Sequence, residues 1–265
     1  MTDVIPDVIQ KYTDGQKYTT TGVGMSGSEV RIYEEYVLKI QPRSDETDNE
    51  FAVVNWLENR IPTPAIPVYH VQDNVAFTLM SKINGEMLCT GEKLAQPESV
   101  IKAVAQGIKM LWEVDTAGCP CIISKLDERL KAAEHNVLNG LADIENTEPD
   151  TFGPGGFGNP EELLEWLKCN RPEEDIVFTH GDFCLPNIFE KDGKISGFID
   201  LGKMGPADRW QDVAIAIRSL EHNFNGKYTD GQKIFDFKPS MLTDELGIPW
   251  DQQKYRYYIL LDELF

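Results

Sequence analysis

The chain has 265 residues, 44 acidic and 25 basic side chains, and a formal net charge of −19. An apolar fraction of 41% fits a globular protein rather than an acidic disordered tail. A surplus of negative charge argues against a generic binder of nucleic acid or anionic membrane, because such partners are repelled at long range. No stretch approaches the roughly 18 consecutive apolar residues of a membrane span. The opening MTDVIPDVIQ has acids and a proline where a signal peptide has a basic region and an apolar core. A cytoplasmic protein is expected. The five cysteines, Cys89, Cys119, Cys121, Cys169 and Cys184, form neither a CxxC pair nor a zinc spacing, so free thiols are expected.

The first eighty residues read mostly as strand. TTTGVG (19–24), EVRIYE (29–34) and EYVLKI (35–40) are β-prone runs separated by turn residues. Ser44 or Asp45 can cap a helix whose Phe51, Val54 and Leu57 recur near helical spacing. IPTPAIP (61–67) stops it, and PVYHVQ and VAFTLM flank Asp73-Asn74 as a hairpin. From residue 82 onward helices dominate. Pro97 opens one lined by Val100, Ile101, Val104, Ile108, Leu111 and Trp112. Asn159 and Pro160 start another, with Leu163, Leu164 and Leu167 on its apolar side. Short strands return over 175–180 and 194–200, and helices over 208–222 and 251–264 close the chain. The expected fold is α+β with two lobes: a β-rich N-terminal lobe over 1–81 and a mainly helical C-terminal lobe over 82–265.

The most specific signal is HGDFCLPNIF (180–189), followed by GFIDLG (197–202). Phosphoryl transfer needs a carboxylate to position a hydroxyl and oxygen ligands for Mg²⁺ on the nucleotide phosphates. Asp182 and Asn187 can share one loop, one toward substrate and one toward metal. Asp200, flanked by apolar strand residues, can deliver a second metal-binding carboxylate. His180 reads as a support of the loop rather than a base. In the N-terminal lobe, Lys39 lies in the run VLKI and Glu50 on the following helix. A lysine held by a glutamate and aimed at phosphates completes a kinase site. The loop GVGMSGS (22–28) is not a Walker A, yet its amides can cover phosphates.

The order of Lys39, Glu50, Asp182, Asn187 and Asp200 resembles the protein-kinase-like fold. HGD, IDLG, the segment GFIDLGKMGPADRWQDVAIAIRS and the terminal YYILLDELF resemble the aminoglycoside phosphotransferase family, most of all its 3′-phosphotransferases. The resemblance implies ATP as donor, with GTP an alternative, and Mg²⁺ as cofactor. It implies transfer of the γ-phosphate to the 3′-hydroxyl of kanamycin- and neomycin-type antibiotics, and hence resistance. Asp182 would be the catalytic base, and Asn187 and Asp200 would bind the metal. Lys39 would hold nucleotide phosphates and Glu50 would hold Lys39. Met25 and Ser26 would cover the β-phosphate, and the backbone of Ser81 and Ile83 would meet adenine. Lys203 stands where some relatives have an arginine near the reaction centre. The acids Asp143, Glu145, Glu148 and Asp150, and the terminal Asp262, Glu263 and Phe265 carboxylate, would grip the drug's amines. A polycationic substrate calls for such carboxylates on physical grounds as well. A monomer or weak homodimer is expected. The competing readings are a kinase of another small cationic metabolite such as choline, and a catalytically dead kinase-shaped binding protein.

Overall fold

The computed structural model describes residues 5–21, 28–122, 125–228 and 231–265. A short helix α1 (Asp7–Thr13) precedes strands β1 (Thr19–Thr21), β2 (Glu29–Ile32) and β3 (Tyr36–Pro42). Helix α2 (Asp45–Trp56) follows, then β4 (Val68–Gln72) and β5 (Val75–Ser81). The strands form one antiparallel sheet in the order β1-β2-β3-β5-β4. Alternation along β3 sends Leu38 and Ile40 into a small core with Ile9, Tyr33, Phe77 and Leu79. Lys39 therefore faces the other way, paired in register with Val30 and Thr78.

Ser44 caps α2 in a reciprocal box with Thr47, each side chain bonding the other's backbone N–H. Val54 and Leu57 are buried as the spacing predicts. Phe51 is not: it stacks half-buried on Tyr69, 4.8 Å between ring centroids. The inward turn of α2 belongs instead to two polar residues, Asn49 and Glu50, both buried. That departure from the apolar pattern marks the helix face that meets the second lobe.

Beyond Ser81 the chain enters a sheet of β6 (Glu86–Met87), β8 (Ile188–Lys191) and β9 (Lys194–Phe198), in the order β6-β8-β9. Between them lie α3 (Gly91–Leu94), α4 (Pro97–Trp112), α5 (Leu126–Leu138), α6 (Pro160–Cys169) and β7 (Ile176–Thr179). The last elements are β10 (Gly205–Asp208), paired antiparallel to β7, and helices α7 (Trp210–Phe224), α8 (Pro239–Leu246) and α9 (Gln252–Asp262). The face of α4 is buried as read, except Trp112, which lies half-buried beneath the Arg209 guanidinium at 4.6 Å. Helix α7 is buried on nearly every face, as a helix at the centre of a lobe must be. It packs against α9, which ends the chain against it.

The two strands read from the sequence near 175–180 and 194–200 are present, but they belong to different sheets. Each pairs with a strand the sequence did not show, β10 and β8. The five cysteines, all among the described residues, form no disulfide. No helix of the described residues is long and apolar enough to cross a membrane.

Candidate active site

The site is built on the loops after β7 and β9. His180 directly follows β7, and its ring is fixed twice: Nε2 lies 3.0 Å from the Ile199 carbonyl, and Nδ1 accepts from the Asp182 N–H at 3.3 Å. Both contacts are satisfied by the tautomer protonated at Nε2, which leaves no basic nitrogen for a substrate. The ring is walled by Phe183 and Phe198. His180 is a support, as its sequence context suggests.

Gly181 follows with φ +86°, and a Cβ there would stand 2.4 Å from the Lys203 carbonyl. Only glycine fits that close approach of two loops. The next residue, Asp182, is half-buried. Asn187 Nδ2 donates to its Oδ2 at 3.1 Å and to its carbonyl at 3.0 Å. One side of the Asn187 amide is thereby committed to orienting Asp182, and its oxygen turns the opposite way.

Asp200 follows β9 with a left-handed backbone, φ 60° and ψ 56°. Aspartate tolerates that region better than most residues, at a cost of about 1–2 kcal/mol. Its Oδ1 accepts from Lys39 Nζ at 2.8 Å, so the two lobes meet ion to ion. Burial works to lower the Lys39 pKa, but the charges of Glu50 and Asp200 and the bond to Asp200 overcome it and raise it to about 12. For Asp200, burial works upward, and Lys39 by charge and hydrogen bond brings the carboxyl below its ordinary value. Glu50 is fully buried; burial raises its pKa against the opposing charge of Lys39. Its Oε1 accepts the Leu201 N–H at 3.1 Å. Glu50 thus acts on Lys39 by charge, while its hydrogen bond goes to the segment carrying Asp200. Next to it, Asn49 donates to the Gly202 and Met204 carbonyls at 2.9 and 3.0 Å and accepts from Ile122 N–H at 2.8 Å.

Several other sequence-read positions fall around this centre. The Ser81 N–H donates to the Ala65 carbonyl at 2.8 Å, so of the Ser81 backbone groups the carbonyl is the one left for a ligand. Ile83 packs on Gly197 of β9, where a Cβ would come within 2.5 Å of the Ile83 side chain. Lys203 Nζ lies over the Phe265 ring, 5.3 Å from its centroid, with Arg129 at 5.1 Å. The C-terminal residue therefore stands beside the segment of Asp200. Met25 and Ser26 lie outside the described residues.

The acids divide into two sets. Glu148, Asp262 and Glu263 come together, but around this chain's own cations. Arg218 bonds Asp262 and reaches Glu263 at 3.3 Å, and Glu263 Oε2 accepts the Glu148 N–H at 2.9 Å. Burial raises the Asp262 pKa, and Arg218, Lys203 and Arg129 together bring it below its ordinary value. For Glu263, burial prevails and lifts the carboxyl to about 7 despite Arg218. Asp143, Glu145 and Asp150 stay exposed on the surface. Asp143 holds Asn146 at 2.6 Å, and Asp150 pairs with Arg256 at 3.1 Å.

Two residues that the sequence reading passed over hold the loop. Asp212, buried in the first turn of α7, accepts from His180 N–H at 2.7 Å and Gly181 N–H at 2.8 Å. Burial lifts its carboxyl to about 6, opposed by His180 and these two amides. Buried Arg129 reaches the Gly181 carbonyl at 3.4 Å. A carboxylate just before the apolar run VAIAI in the first half of α7 is the signal that could have flagged Asp212.

A β-rich lobe and a helical lobe, with a lysine and an aspartate facing across them and an Asp-Asn loop beside, define a protein-kinase-like phosphotransferase. The model of the phosphotransferase enzyme family matches residues 18–243. The chain belongs to that family, among its aminoglycoside phosphotransferases. It is 39% identical over 224 residues to an aminoglycoside 3′-phosphotransferase of Enterococcus faecalis, covering 83% of this chain and 79% of that one. It is 31% identical to the protein of the same name from Niallia circulans, covering 98% and 97%. The fold matches the solved aminoglycoside phosphotransferase APH(3″)-Id of Streptomyces rimosus, with a TM-score of 0.78 at 23% identity, covering 97% of this chain and 96% of that one. The chain is a kinase.

Proposed function

We propose that this enzyme transfers the γ-phosphate of ATP to the 3′-hydroxyl of kanamycin- and neomycin-type aminoglycosides, and so confers resistance to them. The observation that carries the reading is the arrangement of Asp182 beside Asn187 with Asp200 facing Lys39. The curated relatives named as aminoglycoside 3′-phosphotransferases support the choice of substrate.

Asp182 accepts the hydrogen bond of the incoming hydroxyl and takes its proton as transfer proceeds. Asn187 holds that carboxylate by Nδ2, so the base is aimed before substrate arrives. The donors fit a hard cation: the Asn187 amide oxygen and the Asp200 carboxylate are both oxygen ligands. No cluster of three His, Cys, Asp or Glu side chains suited to a metal occurs among the described residues. Magnesium suits such a sparse set, since it is commonly held by one or two protein oxygens plus substrate phosphates. Bound there, it would neutralise charge on the transferring phosphate. Lys39, kept protonated by Glu50 and Asp200, moves from Asp200 to the nucleotide phosphates when these arrive. The Ser81 carbonyl and Ile83 amide are the backbone groups offered to adenine, and Met25 and Ser26 belong to the loop assigned to the β-phosphate. Lys203 places a positive charge beside the reacting centre. The remaining sites for drug amines are the Phe265 carboxylate, with Asp262 and Glu263 partly neutralised by Arg218, and the exposed Asp143, Glu145 and Asp150. Lobes of 1–81 and 82–265, action in the cytoplasm and a monomer or weak homodimer complete the proposal.

Mapping the phosphate by mass spectrometry after reaction of kanamycin and neomycin with ATP and with GTP tests it. Phosphate on the 3′-oxygen is expected. Phosphate on another ring position overturns the regiochemistry, and no phosphorylated drug overturns the substrate class.

A further inference from the structure

Glu148 is the one acid of the 143–150 segment tied to the cluster that leads toward Asp182. The ties run through Glu263, Arg218, Asp262 and Arg129 to the Gly181 carbonyl. It is also the acid least available to a ligand. His222 Nε2, at the end of α7, lies 2.9 Å from Glu148 Oε1. Lys227 Nζ lies 3.5 Å from the same oxygen and 3.2 Å from His222 Nε2. Tyr228 packs edge-on against the imidazole with centroids 5.6 Å apart and its hydroxyl 3.5 Å from Nδ1. The Glu148 carboxyl is held at about 2, first by the His222 hydrogen bond, against burial, then by the charges of His222, Lys227 and Arg218. None of these partners could be foreseen from the acidic run itself, because they come from residues 218–228.

We propose that His222 and Lys227 are specificity-determining residues: they act as a built-in substitute for a substrate ammonium at Glu148. This rests on the reading of the enzyme as an aminoglycoside kinase. A polyamine sugar is bound through ammonium–carboxylate pairs, so selectivity follows from how many carboxylates are free and where. Here one carboxylate is already paired, with the Lys227 ammonium 3.5 Å from it and set against any substrate ammonium that approaches Glu148. A far ring rich in hydroxyls can accept hydrogen bonds from the edge that His222 and Lys227 form. A far ring rich in ammonium groups meets like charge and must first displace the internal pair. Occupying a site with the protein's own group and setting like charge against the unwanted ligand are the two ways an interface discriminates.

The test compares steady-state kinetics of the wild type, Lys227→Ala and His222→Ala/Lys227→Ala, with kanamycin and the amine-richer neomycin as substrates. The double variant is expected to lower KM for neomycin about tenfold and KM for kanamycin less. The single variant falls between, and KM for ATP shifts less than twofold. Adding Glu148→Gln to the double variant should return KM for neomycin toward the wild-type value, which a merely structural role of His222 would not produce. An unchanged or raised KM for neomycin in both Lys227→Ala and the double variant overturns the proposal, as does a gain that survives Glu148→Gln. A wild type inert toward both drugs overturns the functional reading and this one with it, whereas an active wild type with insensitive variants overturns this one alone.

Discussion

Asp182 and Asp212 show at the residue scale what can and cannot be read from a chain. The arrangement of Asp182, Asn187 and Asp200 was legible because it is local: a loop of fixed length carries a carboxylate and an amide, and two glycines frame the second acid. Asp212 was not legible. Its role depends on where the first turn of α7 lies in space, beneath the His180 and Gly181 amides. The two residues predict different phenotypes. Asp182→Ala removes the proposed proton acceptor, and with it the Asn187 contact to the carboxylate, while leaving the loop's backbone ties. We expect kcat to fall roughly 10²–10⁴-fold, the usual worth of a positioned base, with KM for ATP little changed. Retention of near-full kanamycin phosphorylation would defeat the proposed chemistry. Asp212→Ala leaves two buried N–H groups without a partner, each costing about 1–3 kcal/mol. It should lower both the melting temperature and kcat, and Asp212→Asn, which keeps one acceptor, should lose less of each. Equal melting curves for wild type and Asp212→Ala would refute the support role.

Elements were legible where one face is apolar and the ends carry caps. Helix α6 shows both, and α4 shows the apolar face behind Pro97 at its start; their buried residues are those the spacing indicates, Trp112 apart. Helix α5 was overlooked because its sequence, LDERLKAAEHNVL, mixes a thin apolar stripe with charges, and one of those charges, Arg129, is buried for the site. Strands β8 and β10 are four residues each and gain stability from their partners rather than from their own composition. The chain terminus joins α7 through Arg218, Asp262 and Glu263, and this junction has a predictable pH dependence. The folded pKa of Glu263, about 7, stands above the ordinary 4.5. Between those values the folded protein holds a proton that the unfolded chain releases. Stability from this group therefore declines as pH rises through that window. Glu263→Gln removes the titration and keeps an acceptor for the Glu148 N–H. The melting temperature of the variant relative to wild type should climb by a few degrees from pH 5 to pH 8, measured by differential scanning calorimetry. A flat difference would show that Arg218 fully compensates the buried carboxylate.

The whole molecule carries −19, and its meaning changes once the charges are placed. The run from 143 to 167 holds seven acids and no lysine or arginine, which on sequence alone suggested a row of free carboxylates. In space, His222, Lys227 and Arg256 reach into it from elsewhere and pair with Glu148 and Asp150. Much of the attraction for a polycation must then come from the field of the remaining surface acids and less from direct pairs. Fields of that kind are screened by salt: the Debye length is about 10 Å at 0.1 M and about 3 Å at 1 M. The same field repels the anionic nucleotide. Raising ionic strength should therefore move the two Michaelis constants in opposite senses. KM for kanamycin is expected to rise severalfold between 0.05 and 0.5 M salt, on the order of the loss of long-range steering. KM for ATP, held at saturating Mg²⁺, should stay level or fall. A parallel rise in both would show that the acidity serves solubility alone, and that the drug is held by short-range contacts at the terminus.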